Sequence, residues 1–74
     1  MLIPLAFVEH NKNFVIKEIR GSSTDKNRLV EKGFCIGNKV CLLKDNENNF
    51  IVKINDSKYM INFSLANKIL LGDC

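Results

Sequence analysis

The sequence has no tryptophan, one proline, one histidine and one tyrosine among its 74 residues. It also lacks a long hydrophobic run, because the longest apolar stretch covers only residues 1–8. A helix that crosses a bilayer needs about 20 apolar residues, so this stretch is too short to span a membrane. No lysine or arginine precedes it, which does not fit a secretory signal peptide. The sequence therefore predicts a cytoplasmic protein without direct membrane insertion.

Cysteine is too scarce and too irregularly spaced for a disulfide framework or a structural zinc site. The three cysteines are Cys35, Cys41 and Cys74, an odd number without a Cys-x-x-Cys pair. Cys74 is the last residue and is expected to fray. His10, Cys35 and Cys41 could form a soft-metal site, but nothing in their spacing requires one. We therefore predict no metal site and no cofactor.

The sequence also lacks a strong excess of either positive or negative charge. Eleven lysines and arginines stand against eight aspartates and glutamates, which gives a net charge of +3 that is mixed along the chain. Nucleic-acid-binding proteins usually carry a basic stripe, and the linear sequence shows none, so no nucleic acid partner is expected. No nucleophile–base pair, carboxylate dyad or glycine-rich phosphate loop can be identified. The sequence therefore predicts no catalytic residue and no enzyme.

Several short runs instead have the alternation of half-buried β-strands. Strands are predicted at residues 5–8, 14–19, 39–44, 50–54, 58–63 and 68–71. A polar loop is expected at residues 45–49, a hairpin turn at 55–57 and a single helical turn at 64–67. Most of the five phenylalanines fall at inward positions and are expected in the core. This pattern predicts a mainly β fold, a small antiparallel barrel of five to six strands.

One short helix is predicted between the second and third strands. Thr24 can cap its N-terminus, and Asp25 places negative charge in the first turn, where the helix dipole favours it. Leu29 and Val30 are expected to form its apolar stripe. Since a helix this short is marginal alone, packing must stabilise it.

The helix is expected to end at Gly33, because glycine adopts the left-handed conformation without a Cβ clash. In such an ending, Phe34 packs back against Leu29 one turn earlier. Gly37 is predicted to make a second tight turn that starts the strand containing Val40.

Residues 28–34, which read RLVEKGF, resemble the R-L-x-x-L-G-[FLM] helix ending of the FeoA family, the ferrous iron transport protein A family. Gly37 and Val40 fit the P-G-x-x-V motif that follows, and residues 59–71 fit the family's final motif with its alanine. The positions that carry the resemblance are Leu29, Gly33, Phe34, Gly37, Val40 and Ala66. The resemblance implies one SH3-like barrel domain over residues 1–74, with a short helix inserted after the second strand.

The resemblance also implies a function. FeoA-like proteins assist ferrous iron uptake together with FeoB, a membrane transporter that carries a cytosolic GTPase domain. The chain is therefore expected to be a small cytosolic accessory or adaptor protein whose partner is the cytosolic region of a FeoB-like transporter. The contact is placed either at residues 45–49 or on the charged face of the helix, formed by Lys26, Arg28, Glu31 and Lys32.

Other interpretations stay open. Small barrels bind RNA or DNA in several families, so a nucleic-acid-binding module is the alternative function. A related barrel is appended to iron-dependent repressors, but 74 residues leave no room for their DNA-binding and metal-sensing domains. A small barrel with little buried surface can also form homo-oligomers.

Overall fold

The structure, a computed structural model, describes residues 1–73, so the expectation for Cys74 lies outside the described residues. Within them, the strands are β1 (Ile3–Pro4), β2 (Asn13–Ile19), β3 (Lys39–Asn46), β4 (Asn49–Ile54), β5 (Ser57–Asn62) and β6 (Ile69–Asp73). A 3₁₀ turn, Leu5–Phe7, follows β1, while helix α1, Ser23–Glu31, joins β2 to β3 and helix α2, Phe63–Ala66, joins β5 to β6.

The strands form one sheet with the spatial order β1-β6-β2-β3-β4-β5. Every neighbouring pair in this sheet is antiparallel. The mainly β fold of short antiparallel strands, with one helix inserted after the second strand, is thus confirmed. In the described part of the chain, neither helix is long and apolar enough to cross a membrane.

The core is formed by inward-facing residues of the strands, together with residues of the helices and the N-terminal segment. The buried strand residues are Phe14, Ile16, Val40, Leu42, Phe50, Val52, Ile54, Ile61, Ile69, Leu70 and Leu71. Fully burying one such side chain stabilises a fold by roughly 1.5–3 kcal/mol. Because net stabilities are only about 5–15 kcal/mol, each of these positions matters to the fold.

Helix α1 ends in the hydrogen-bond pattern of a Schellman motif. The amide of Phe34 donates to the carbonyl of Leu29 at 2.9 Å, and the amide of Gly33 donates to that of Val30 at 2.9 Å. Gly33 has a φ of +99°. Phe34 and Leu29 are fully buried in the same core cluster, so the predicted helix ending is confirmed.

Gly37 makes the predicted second turn, with a φ of +97°. Its amide donates to the carbonyl of Ile16 in β2 at 2.8 Å, and the amide of Asn38 donates to the carbonyl of Cys35 at 3.0 Å. The side-chain amide of Asn38 donates to the carbonyl of Gly33 at 2.7 Å. These bonds join the two turns to each other and to β2, so β3 begins beside β2.

The strand predicted at residues 5–8 is wrong. Pro4 ends β1 with a φ of −60°, and the 3₁₀ turn follows it directly. Proline fits this position because its φ suits a helical start and it lacks an amide proton. The turn buries Leu5 and exposes Phe7, whereas a strand would place both on one face. A short apolar run is compatible with either conformation, which explains the error.

Helix α1 begins earlier than predicted and has a narrower apolar face. Ser22, not Thr24, is the N-cap, and its Oγ accepts a hydrogen bond from the amide of Asp25 at 3.2 Å. Leu29 is buried, whereas Val30, predicted to share the apolar stripe, is exposed. Successive helical residues point about 100° apart, so a short helix that buries Leu29 turns Val30 toward solvent.

The polar loop predicted at residues 45–49 is a two-residue turn, because β3 and β4 remain paired up to Asn46 and Asn49. Glu47 occupies this turn with a φ of +53°. The exposed ends of a hairpin are as polar as a loop. The polar composition of residues 45–49 therefore led to a predicted end of β3 that is too early.

The strand predicted at residues 58–63 ends one residue early, and Phe63 begins α2. Asn62 caps this helix, since its Oδ1 accepts a hydrogen bond from the amide of Leu65 at 2.9 Å. Phe63 therefore does not follow the inward alternation of β5 and is partly exposed. The helical turn predicted at residues 64–67 corresponds to α2.

Replacement of Gly33 by alanine is expected to lower the free energy of unfolding by about 1–2 kcal/mol, the usual penalty for a Cβ in the left-handed region. The nearest atoms to an added Cβ would be Asn55 Nδ2 at 3.5 Å and Ile54 Cγ2 at 3.7 Å, so the loss reports backbone strain rather than a clash. Urea unfolding followed by circular dichroism measures it. Gly33→Asn should lose less, because asparagine tolerates this conformation better. An alanine variant as stable as the parent would contradict the described helix ending.

Candidate functional site

The helix face predicted from the sequence carries three exposed charges. Lys26, Arg28 and Glu31 are exposed, whereas Lys32, the C-cap residue of α1, is half-buried. Within residues 1–73, none of these four side chains takes part in an ion pair. Val30 follows Lys26 by four residues, so the two are neighbours on the helix surface. Arg28, Glu31 and Lys32 lie three and four residues apart on another side of the helix, so only Lys26 among the four charges borders the exposed Val30.

An ion pair anchors the N-terminus of this helix. The Nζ atom of Lys68 lies 2.9 Å from Oδ2 of Asp25, and both side chains are mostly shielded from solvent. The hydrogen bond and the charge of Lys68 hold the pKa of Asp25 below its ordinary value, although partial desolvation acts in the opposite direction. Lys68 precedes β6, so the pair ties α1 to the sheet.

A second exposed surface lies where the 3₁₀ turn packs against α2. The ring of Phe7 meets that of Phe63 edge to face, with centroids 6.0 Å apart and an interplanar angle of 84°. Phe63 in turn lies 6.2 Å from the ring of Phe50, which is buried. Phe7 is 65% exposed and Phe63 39% exposed. These two residues are termed the aromatic surface.

The aromatic surface was not predicted from the sequence, which placed most phenylalanines in the core. Phe14, Phe34 and Phe50 are buried as expected, but Phe7 and Phe63 are not. A usable signal existed for Phe63. An asparagine at position 62 is a preferred helix N-cap, so a helix start at residue 63 could have been inferred.

An open groove of about 470 Å³ forms a third feature, on the outer face of the sheet. Its lining includes Asn13, Lys39, Cys41, Lys53, Asn55 and Asp56. Asn13, Cys41 and Lys53 lie side by side on β2, β3 and β4, because the ladders pair Cys41 with each of the other two. This feature is termed the basic groove.

The turn that begins at Asn55 brings a lysine of β5 beside the groove. Ile54 pairs with Ser57 and Asn55 has a φ of +55°, which confirms the predicted hairpin turn. The same register places Lys53 directly opposite Lys58. Lys53 and Lys58, which are separated by the hairpin turn in the sequence, thus become cross-strand neighbours. The hairpin turn at Asn55 was predicted correctly. Continuing the strand pairing one residue beyond the Ile54–Ser57 pair would have predicted that Lys53 lies opposite Lys58.

The structure does not bring His10, Cys35 and Cys41 together as a metal site. Among residues 1–73 there is no group of three or more His, Cys, Asp or Glu residues placed to hold a metal ion. The Nε2 atom of His10 lies 3.2 Å from Oδ1 of Asp45 at the far end of β3, and both cysteines are free thiols.

The positions that carried the family resemblance all lie in the core or its turns. Leu29, Phe34, Val40 and Ala66 are buried, and Gly33 and Gly37 have positive φ. They are structural positions, so they specify the fold and leave the outer surface free to vary.

The six-stranded antiparallel sheet with its inserted helix defines a small SH3-like β protein. Its fold matches that of a Stenotrophomonas maltophilia FeoA solved in complex with zinc and described as a prokaryotic SH3 domain protein. The TM-score is 0.80 at 17% identity, over 97% of this chain and 89% of that protein. The FeoA domain model matches residues 3–71, and the chain therefore belongs to the FeoA domain family, which is associated with ferrous iron transport.

One further relative and one further solved structure bear on the comparison. A Methanocaldococcus jannaschii protein named "Putative Fe(2+) transport protein A" is 29% identical over 72 residues, 97% of this chain and 88% of that protein. A manganese-dependent transcriptional repressor has a TM-score of 0.91 at 12% identity, over 99% of this chain and 42% of the repressor. At such low identity the second likeness shows the fold alone.

Acid is expected to weaken the fold through Asp25. Because its pKa is lowered in the folded protein, the ion pair with Lys68 stabilises the fold fully above the ordinary carboxyl pKa of about 4. That contribution is lost as the pH falls through the lowered pKa. Asp25→Asn should therefore unfold at lower temperature than the parent at pH 7 and lose less additional stability below about pH 4.

Thermal unfolding at a series of pH values measures this difference. Asp56→Asn is the matched control, since Asp56 lies in an exposed turn without an ion pair among residues 1–73. It should keep the acid profile of the parent. If the curve for Asp25→Asn runs parallel to the parent curve at acid pH, the ion pair does not stabilise the fold.

Proposed function

We propose that this chain is a cytoplasmic accessory protein of ferrous iron uptake that acts as an adaptor on the cytosolic region of a FeoB-like transporter. Membership of the FeoA domain family supports this role. The M. jannaschii relative is named for Fe(2+) transport, and the S. maltophilia relative has been suggested to act as a ferrous iron transport activating factor. The adaptor acts by protein–protein contact and needs no reaction of its own.

The aromatic surface is the observation that carries this proposal. Phenylalanine is enriched at protein interfaces, and a small number of well-packed aromatic side chains often supplies most of the binding energy. Phe63 rests on the buried ring of Phe50 and supports Phe7. Because the rings are already held in place, little conformational entropy is lost when a partner covers them.

The charged face of α1 is proposed as a second contact. Lys26, Arg28 and Glu31 are exposed, and Lys32 lies at the end of the same helix. Charges at the rim of an interface mainly affect the association rate and its dependence on salt. This face is therefore expected to orient the partner, while the aromatic surface supplies the affinity.

Phe7→Ser is expected to weaken binding to the purified cytosolic region of a FeoB-like transporter by about tenfold or more, because an exposed aromatic contact is removed. Isothermal titration calorimetry with the full chain measures the dissociation constant. Ile36→Ser is the matched control, since Ile36 is 68% exposed and lies in the turn between α1 and β3. It should bind as tightly as the parent.

Absence of binding by the parent chain would overturn the adaptor proposal. Equal losses in Phe7→Ser and Ile36→Ser would leave the adaptor role in place and remove the aromatic surface from it. Light scattering on the free chain tests the other use of the same surface. A dimer that Phe7→Ser dissociates would assign the aromatic surface to a second copy of this chain.

A further inference from the structure

The basic groove gathers positive charge that the sequence disperses. Val40 and Ile54 point into the core, so the alternation of β3 and β4 turns Lys39 and Lys53 to the outer face. Lys58 lies on the same outer face, because it is the ladder partner of Lys53. Three lysines from three consecutive strands therefore share one face of the sheet.

This arrangement is unfavourable for the isolated chain. Lys53 and Lys58 are directly opposite each other on antiparallel strands, where Cβ atoms lie about 5 Å apart and like charges destabilise the sheet. Within residues 1–73, Lys39, Lys53 and Lys58 form no ion pair with any carboxylate. Asp56, the acidic residue of the groove lining, offsets this positive charge only in part, and an anion bound between the lysine side chains would relieve the repulsion.

We propose that the basic groove binds a small phosphate-bearing molecule. Its volume of about 470 Å³ falls within the range of roughly 300–1,000 Å³ typical of small-molecule sites. Lysine ammonium groups bind phosphate as point charges, which suits Lys39 and Lys53 in the groove lining and Lys58, which lies opposite Lys53 just outside it. Asn13 and Asn55 line the same groove, and their side-chain amides can donate further hydrogen bonds.

Asp56 favours a small ligand over a nucleic acid. Asp56 lines the groove together with Lys39 and Lys53, and its negative charge would repel a second phosphate at that end. Nucleic-acid binding instead needs a basic track that contacts many phosphates in succession. A small molecule can place one phosphate between the lysines and a hydroxyl group toward Asp56.

An NMR titration of the full chain, labelled with ¹⁵N, tests the proposal. Inorganic phosphate and pyrophosphate are added separately and compared with sodium chloride at the same ionic strength. Saturable shifts are expected at the amides of Asn13, Cys41 and Lys53, and they should weaken as salt is added. Lys53→Gln and Lys58→Gln should each weaken binding about threefold to fivefold, as for other exposed ionic contacts.

Lys44→Gln is the matched control, because Lys44 is an exposed lysine of β3 that neither lines the groove nor pairs with a lysine that does. It should bind as the parent does. Melting temperatures complete the test, since Lys53→Gln and Lys58→Gln remove a like-charge pair and should not lower thermal stability. Weaker binding in these variants then reports a lost contact rather than unfolding.

Shifts that sodium chloride reproduces would overturn the proposal, as would an equal loss of binding in Lys44→Gln. A short DNA duplex or RNA that shifts the groove signals while phosphate and pyrophosphate do not would also overturn it, in favour of a nucleic acid. The test uses no transporter, so its outcome is independent of the adaptor proposal.

Discussion

The rest of the structure depends on the reversal of the backbone at Gly33. Its left-handed conformation lets the amides of Gly33 and Phe34 bond the last carbonyls of α1 and turns the ring of Phe34 into the core. The side-chain amide of Asn38 then bonds the carbonyl of Gly33, and Gly37 bonds back to β2. Because two successive turns are joined in this way, β3 starts at one defined position beside β2.

That defined start also determines which side chains reach the surface. A shift of one residue in strand register would exchange the two faces of every strand, so it would bury Lys53 and expose Val52. The tight turns that begin at Glu47 and Asn55 prevent such a shift, since each leaves only two unpaired residues between its strands. The same register that fills the core thus places Lys53 opposite Lys58 on the outer face.

The features that could be predicted from the sequence are those with a local chemical cause. Gly33 ends a helix because of its own backbone freedom, and Asn55 turns a hairpin for a similar reason. Val30 was misplaced because its exposure depends on which neighbouring helix residue the fold buries, whereas Phe63 was misplaced because the N-cap signal of Asn62 was not used. The contact between Lys53 and Lys58 needs strand register, and the meeting of Phe7 with Phe63 needs the path of the whole chain. The first follows once the hairpin turn at Asn55 is placed, whereas the second is not present in any short window of sequence.

The basic groove and the aromatic surface lie near opposite ends of β5. Lys58 is near the start of this strand and Phe63 directly follows its end, so about 16 Å of extended chain separates them. A protein seated on the aromatic surface therefore leaves room for a small anion at the groove. Because a repressor domain has the same fold at very low identity, the buried alternation alone does not distinguish the two kinds of protein. The match covers only 42% of the repressor, so the rest of that protein also distinguishes the two. Within the shared fold, a difference in function must be sought among outward-facing residues such as Phe7, Phe63, Lys53 and Lys58, whose exposure the packing of the core does not require.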